Sequence, residues 1–112
     1  MKKSPLKIEI YERQALICGA LANPVRLMIL DLLSEREGTA TELQLKLSLP
    51  KSNLAQHLTV LKRAGILKVR NEGRSQYLSL SIPEIKEACG LVRKVLVSQM
   101  NQEAALAKAF LK

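Results

Sequence analysis

The hydrophobic repeat of this chain changes period twice, and no other feature restricts its fold as strongly. As far as residue 64 the apolar side chains recur every three to four positions; over roughly 65–82 they alternate; from Pro83 onward the helical spacing returns. An all-strand fold and a purely helical bundle are both excluded by that grammar. What it asks for is a group of helices, one hairpin and a closing helix. At 112 residues these elements fit a single domain, 1–112.

The helices can be placed by their stripes and their punctuation. Tyr11, Ala15, Cys18 and Ala22, with Ile17 and Leu21 beside them, predict a first helix over about 7–22. Asn23-Pro24 then supplies a capping side chain and a first-turn proline. Val25, Met28, Ile29, Leu32 and Leu33 predict a second helix to about Glu35, with Gly38 ending the segment. Thr39 or Thr41 can cap a short third helix bearing Leu43, Leu45 and Leu47, which Pro50 stops. Leu54, Leu58 and Leu61 at i, i+4, i+7 place a fourth helix over about Lys51 to Ala64, and Gly65 suits a left-handed cap behind it.

Leu67 and Val69 then alternate with Lys68 and Arg70, and Leu78, Leu80 and Ile82 with Tyr77, Ser79 and Ser81. These runs flank Asn71-Glu72-Gly73-Arg74 as a two-stranded β-hairpin. The last helix, from Pro83 to about Phe110, would span about 42 Å at 1.5 Å per residue, longer than so small a core requires. Its apolar residues, among them Ile85, Cys89, Val92, Leu96 and Met100, therefore suit burial against a second subunit. The expectation is a homodimer built on 7–22 and 83–111.

Composition closes off several functions. Two cysteines cannot staple a secreted miniprotein, and one histidine, His57, rules out a histidine-rich metal site or a two-histidine catalytic site within one chain. No triad, glycine-rich phosphate loop or paired carboxylates mark an enzyme, so neither a cofactor nor a metal is expected. No apolar stretch approaches the roughly 20 residues of a membrane span. Lys7, Glu9, Glu12 and Arg13 occupy the place of a signal peptide's apolar segment, so a cytoplasmic protein is expected.

The net charge of +8 points to a polyanionic partner, and its distribution matters more than its size. Residues 51–82 carry six basic side chains and one acidic one, whereas residues 1–50 carry seven and six. The excess thus falls on the fourth helix and the hairpin, too divided between them for an amphipathic membrane-surface helix. Two short helices joined by a turn and followed by a basic hairpin make a winged helix-turn-helix, an α+β but mostly α fold with five helices and a two-stranded wing. Its second short helix fits the major groove of duplex DNA. Lys51, Ser52, Asn53 and Gln56 are the base- or groove-facing candidates. Thr59 shares the outer face, and Lys62, Arg63, Arg70 and Arg74 suit phosphate. His57 is a candidate phosphate or backbone contact, with a partly buried internal hydrogen bond as the other reading. For Arg26 an internal ion pair or cap contact is the better reading. Tyr77 suits either a stacking role or plain hairpin surface, and Lys2, Lys3 and Lys7 either an arm toward DNA or a solubilising tail. A winged-helix module docking an acidic protein through the same basic face is the alternative function.

The run Ala20-Leu21-Ala22-Asn23-Pro24-Val25-Arg26-Leu27-Met28-Ile29-Leu30 resembles the opening of the arsenic-repressor (ArsR/SmtB) family of bacterial regulators. Gln56-His57-Leu58, Leu61, Ala64-Gly65-Ile66-Leu67 and Glu72-Gly73-Arg74 continue the likeness in register over roughly residues 8–96. The resemblance implies a homodimeric repressor that reads an inverted-repeat operator and leaves it when an inducer binds. Two features depart from the family. Its Cys-x-Cys metal box would fall on Thr39 and Thr41, and residues 83–112 contain neither the Asp nor the His of its other metal site. A metal effector is therefore not implied, and the effector is left unknown. Cys18 and Cys89 are candidates for redox or metalloid sensing. Two small buried hydrophobes are the favoured alternative, and Asp31 stands near the place where redox members carry a second-helix cysteine.

Overall fold

Residues 7–111 are described by a computed structural model that opens with α1 (Ile8–Leu21) and α2 (Pro24–Glu35), set at 89° to each other. Lys2 and Lys3 lie outside the described residues. The break between the helices is local chemistry: Asn23 is extended, and its Oδ1 accepts the backbone N–H groups of Val25 at 2.9 Å and Arg26 at 3.1 Å. Pro24 fills the first turn, where its missing N–H costs nothing. Asn23→Ala is expected to lower stability by about 1 kcal/mol, read as a shifted urea midpoint at constant m-value. An unmoved midpoint would mean that this cap stabilises nothing.

Beyond α2 the order is β1 (Gly38–Thr39), α3 (Ala40–Leu47), α4 (Lys51–Arg63), β2 (Leu67–Glu72), β3 (Ser75–Leu80) and α5 (Glu84–Phe110). The chain divides into two compact units at Pro83, the second consisting essentially of α5. The core of the first unit is wholly aliphatic among the described residues. Ile29, Leu30 and Leu33 come from α2, Leu43 from α3 and Leu54, Leu58 and Leu61 from α4, closed by Ala20, Ile66, Leu67 and Leu78. No single described helix is long and apolar enough to cross a membrane.

The capping question at α3 is decided for Thr39. Its Oγ1 accepts the Glu42 N–H at 3.1 Å, and its own N–H donates to Glu42 Oε1 at 2.8 Å, a reciprocal capping box. That N–H also holds the Glu42 carboxyl below the ordinary carboxylate range. Leu45, grouped with Leu43 and Leu47 from sequence, is 75% exposed, because only positions four apart share the inner face of so short a helix. At the far end of α4, Gly65 is left-handed (φ 75°), with Gly65 N–H on Lys62 O and Ile66 N–H on Leu61 O, both at 3.0 Å. This is a Schellman close, and Leu61 and Ile66 are both buried beneath it.

The β2–β3 hairpin is the expected two-stranded wing, and it belongs to a larger sheet. That sheet has three strands in the order β1-β3-β2, because Gly38 and Thr39 pair antiparallel with Leu78 and Tyr77. A two-residue strand has no period to detect, and the residue read as a helix stop is in fact a buried strand position. The hairpin is also longer and tighter than its sequence suggests: pairing continues to Glu72↔Ser75, leaving only Gly73 (φ 61°) and Arg74 in the turn. Along β2 only Leu67 is buried, so the hairpin projects from the core and most of its alternation faces solvent on both sides.

Candidate nucleic-acid interface

The stripe of Leu54, Leu58 and Leu61 orients α4, because burying those three fixes every other side chain on the helix. Lys51, Ser52, Asn53, Gln56, Thr59, Lys62 and Arg63 are consequently all exposed. Pro50, at the N-cap, provides no side-chain acceptor to the first turn, so its N–H groups remain free to meet an anion. Lys62 and Arg63 lie in the last turn, where they also complement the helix's negative end. Thr59 is partly engaged already, its hydroxyl donating to Ala55 O at 2.9 Å.

His57 differs from its neighbours. It is half-buried, with Nδ1 3.3 Å from Nη1 of Arg26 on α2. Arg26 in turn donates from Nε to Ala20 O at 2.6 Å and from Nη2 to Gly19 O at 3.3 Å, capping the end of α1. The internal reading of Arg26 is the one observed, and for His57 the internal hydrogen bond is present.

On the wing, the two predicted arginines have different surroundings. Arg70 is held by Glu37 and Glu72, each at 2.6 Å, and its guanidinium carbon lies 4.6 Å from the centre of the Tyr77 ring. Hydrogen bonds to these carboxylates, Glu37 foremost, raise its already high pKa further. Its charge is largely answered within the chain. Tyr77, half-buried and paired across from Arg70, serves as the platform of this cluster. Arg74 stands exposed in the turn and makes no ion pair among the described residues. The role of Glu37 carries no sequence signal, since it lies 33 positions from Arg70 in a connecting segment.

In the single chain Cys18 on α1 is exposed and Cys89 on α5 is half-buried. The stripe on α1 faces outward, leaving Ile10, Tyr11 and Ile17 exposed along with Cys18. Considered by itself, α5 also exposes Leu91, Val92, Val95, Leu96, Val97 and Met100. Among the described residues no three His, Cys, Asp or Glu side chains cluster closely enough to hold a metal ion.

A family profile described as a helix-turn-helix domain matches residues 21–70, from the end of α1 into β2. An uncharacterized HTH-type transcriptional regulator of Mycobacterium tuberculosis, Rv0081, is 36% identical over 107 residues, 95% of this chain and 90% of that one. Its crystal structure superposes with a TM-score of 0.78, covering 91% of this chain and 99% of that one. The transcriptional activator HlyU of Vibrio cholerae is 33% identical over 106 residues, 91% of this chain and 97% of its own. A solution structure from Mycobacterium bovis, the homodimeric winged helix-turn-helix DNA-binding domain of Mb0332, a possible ArsR-family transcriptional regulator, gives a TM-score of 0.81. It is 27% identical, with 89% of this chain and 93% of that one covered.

Proposed function

Because this chain belongs to the ArsR-type family of helix-turn-helix transcriptional regulators, we propose that it is a homodimeric repressor, binding an inverted-repeat operator through α4 and the wing. The observation that carries this reading is the outward face of α4: its polar and basic side chains are exposed beside a basic hairpin, while its leucines anchor the helix in the core. Lys51, Ser52, Asn53 and Gln56 are assigned to base edges or groove-facing phosphates, and Lys62, Arg63 and Arg74 to the DNA backbone. The protein works by binding and release, without chemistry, in the cytoplasm where its DNA lies.

Dimerisation is assigned to α1 and α5, whose exposed apolar residues need cover that the single chain does not provide. A twofold dimer then reads half-sites about 34–36 Å apart. Occupying an operator within a promoter represses by excluding polymerase. The opposite sign, which the name of HlyU carries, is separated by transcription in vitro from the promoter upstream of the gene. Repression supports the proposal, and stimulation overturns the repressor half of it.

The binding test is fluorescence anisotropy on that promoter's palindromes against shuffled duplexes of equal length. Tighter binding to one palindrome, with one dimer per site, is the supporting result. No binding to any duplex would favour the module that docks an acidic protein. Within the same assay Arg74→Ala is expected to weaken all duplexes alike and to flatten the log–log salt slope by about two, one lost phosphate contact per wing. Arg70→Ala is expected to do markedly less, since Glu37 and Glu72 already answer that charge. Gln56→Ala is expected to narrow the gap between palindrome and shuffled duplex by roughly 1–3 kcal/mol per base contact. If Gln56→Ala acted uniformly and Arg74→Ala selectively, these roles would have to be exchanged.

A further inference from the structure

We propose that Arg26 is a positioning residue for DNA binding: clamped on the last carbonyls of α1, it holds the His57 ring with its proton on Nε2, as a neutral donor to a DNA phosphate. This rests on the reading of α4 as the DNA-facing helix. α1 ends with no basic residue in its last turn, and the guanidinium of Arg26 takes that place with bonds to Ala20 O at 2.6 Å and Gly19 O at 3.3 Å. The base of the side chain is fixed as well, because its own N–H donates to Asn23 Oδ1 at 3.1 Å. A planar fork held at both ends presents its remaining donor, Nη1, in one direction.

That direction is His57, whose Nδ1 lies 3.3 Å from Nη1. A guanidinium has donors only, so Nδ1 must be the acceptor. The neutral ring then carries its proton on Nε2, the nitrogen on its far side. Among the described residues the ring has no hydrogen-bond partner besides Arg26. A half-buried donor on α4, flanked by exposed Gln56, thus has its near side satisfied and its far side available. A phosphate oxygen is the acceptor that the proposed DNA complex supplies. The same three bonds tie the end of α1, the helix assigned to dimerisation, to the helix assigned to recognition.

The chain contains one histidine, so a single imidazole appears in a nitrogen-15 spectrum of the whole protein. The expected spectrum of the free protein shows a protonated Nε2 and an accepting Nδ1. In Arg26→Met that signature is expected to relax toward an exchanging mixture of ring forms. A proton found on Nδ1, or a signature unchanged in Arg26→Met, overturns the proposal.

In the DNA assay, Arg26→Met and His57→Asn are each expected to weaken binding by about tenfold, one hydrogen bond from an uncharged donor lost per protomer, with the salt slope unchanged. His57→Gln, whose side-chain amide N–H extends to where Nε2 stood, is expected to bind within about twofold of the parent. A flattened slope in Arg26→Met would instead make Arg26 itself a phosphate contact and would overturn the positioning role. So would equal losses in His57→Gln and His57→Asn. Should the parent bind no duplex at all, the DNA reading fails, while the ring spectrum still decides whether Arg26 sets the tautomer.

Discussion

Leu61→Ala is expected to cost about 2–5 kcal/mol of stability, the span found when a fully enclosed leucine is truncated. Leu61 has no exposed surface, lies on α4 and forms part of the Schellman close with Ile66 above it. The hole therefore opens where α4 turns into β2, and neither element can collapse into it without disturbing the other. Against a total of about 5–15 kcal/mol for a domain of this kind, the loss removes a large share of the margin. Urea unfolding followed by circular dichroism measures it as a lower midpoint. Lys62→Ala, one position along and exposed, is the matched control and should fall within about 0.5 kcal/mol of the parent. A loss at Leu61 below about 1 kcal/mol would mean that the core does not close around α4 as described. Operator affinity should follow the folded fraction, so a Leu61→Ala protein that is still mostly folded should keep the parent's salt slope.

The same residue illustrates what was legible in the sequence. Three leucines at i, i+4, i+7, a proline before them and a glycine after them state the type, face and ends of α4 together, because burial, capping and turn chemistry agree there. The hairpin was legible for the same reason, through alternation around Gly73. β1 was not: two residues hold no period, and its pairing with β3 depends on where α2 happens to end. Nor could any local pattern show that Glu37 would meet Arg70, or that Arg26 on α2 would meet His57 on α4. These are contacts between residues more than 30 positions apart, decided by packing, and they divide the basic residues into those engaged within the chain and those left for a partner. Helical stripes, finally, say that a face is apolar and not what covers it. Cys18 shares a stripe with Tyr11 and still lies exposed in one chain.

Because of that division, raising monovalent salt from about 50 to 200 mM should weaken operator binding about a thousandfold. Lys51, Lys62, Arg63, Arg70 and Arg74 are the basic side chains on α4 and the wing assigned to DNA from sequence. If every one of them met a phosphate in both protomers, ten charges would be neutralised and the log–log slope would approach about −9. The structure argues for a shallower value. Arg70 is engaged by Glu37 and Glu72, and Lys51 is assigned to the groove face, which leaves Lys62, Arg63 and Arg74 of each protomer on the backbone. About six phosphates per dimer is then the reasonable count, with a slope near −5. Anisotropy titrations at four or five salt concentrations distinguish the two values easily. A slope near −9 would mean that DNA draws Arg70 away from its carboxylates. A slope near zero would remove phosphate contact from the mechanism, and with it the assignment of α4 and the wing to duplex DNA.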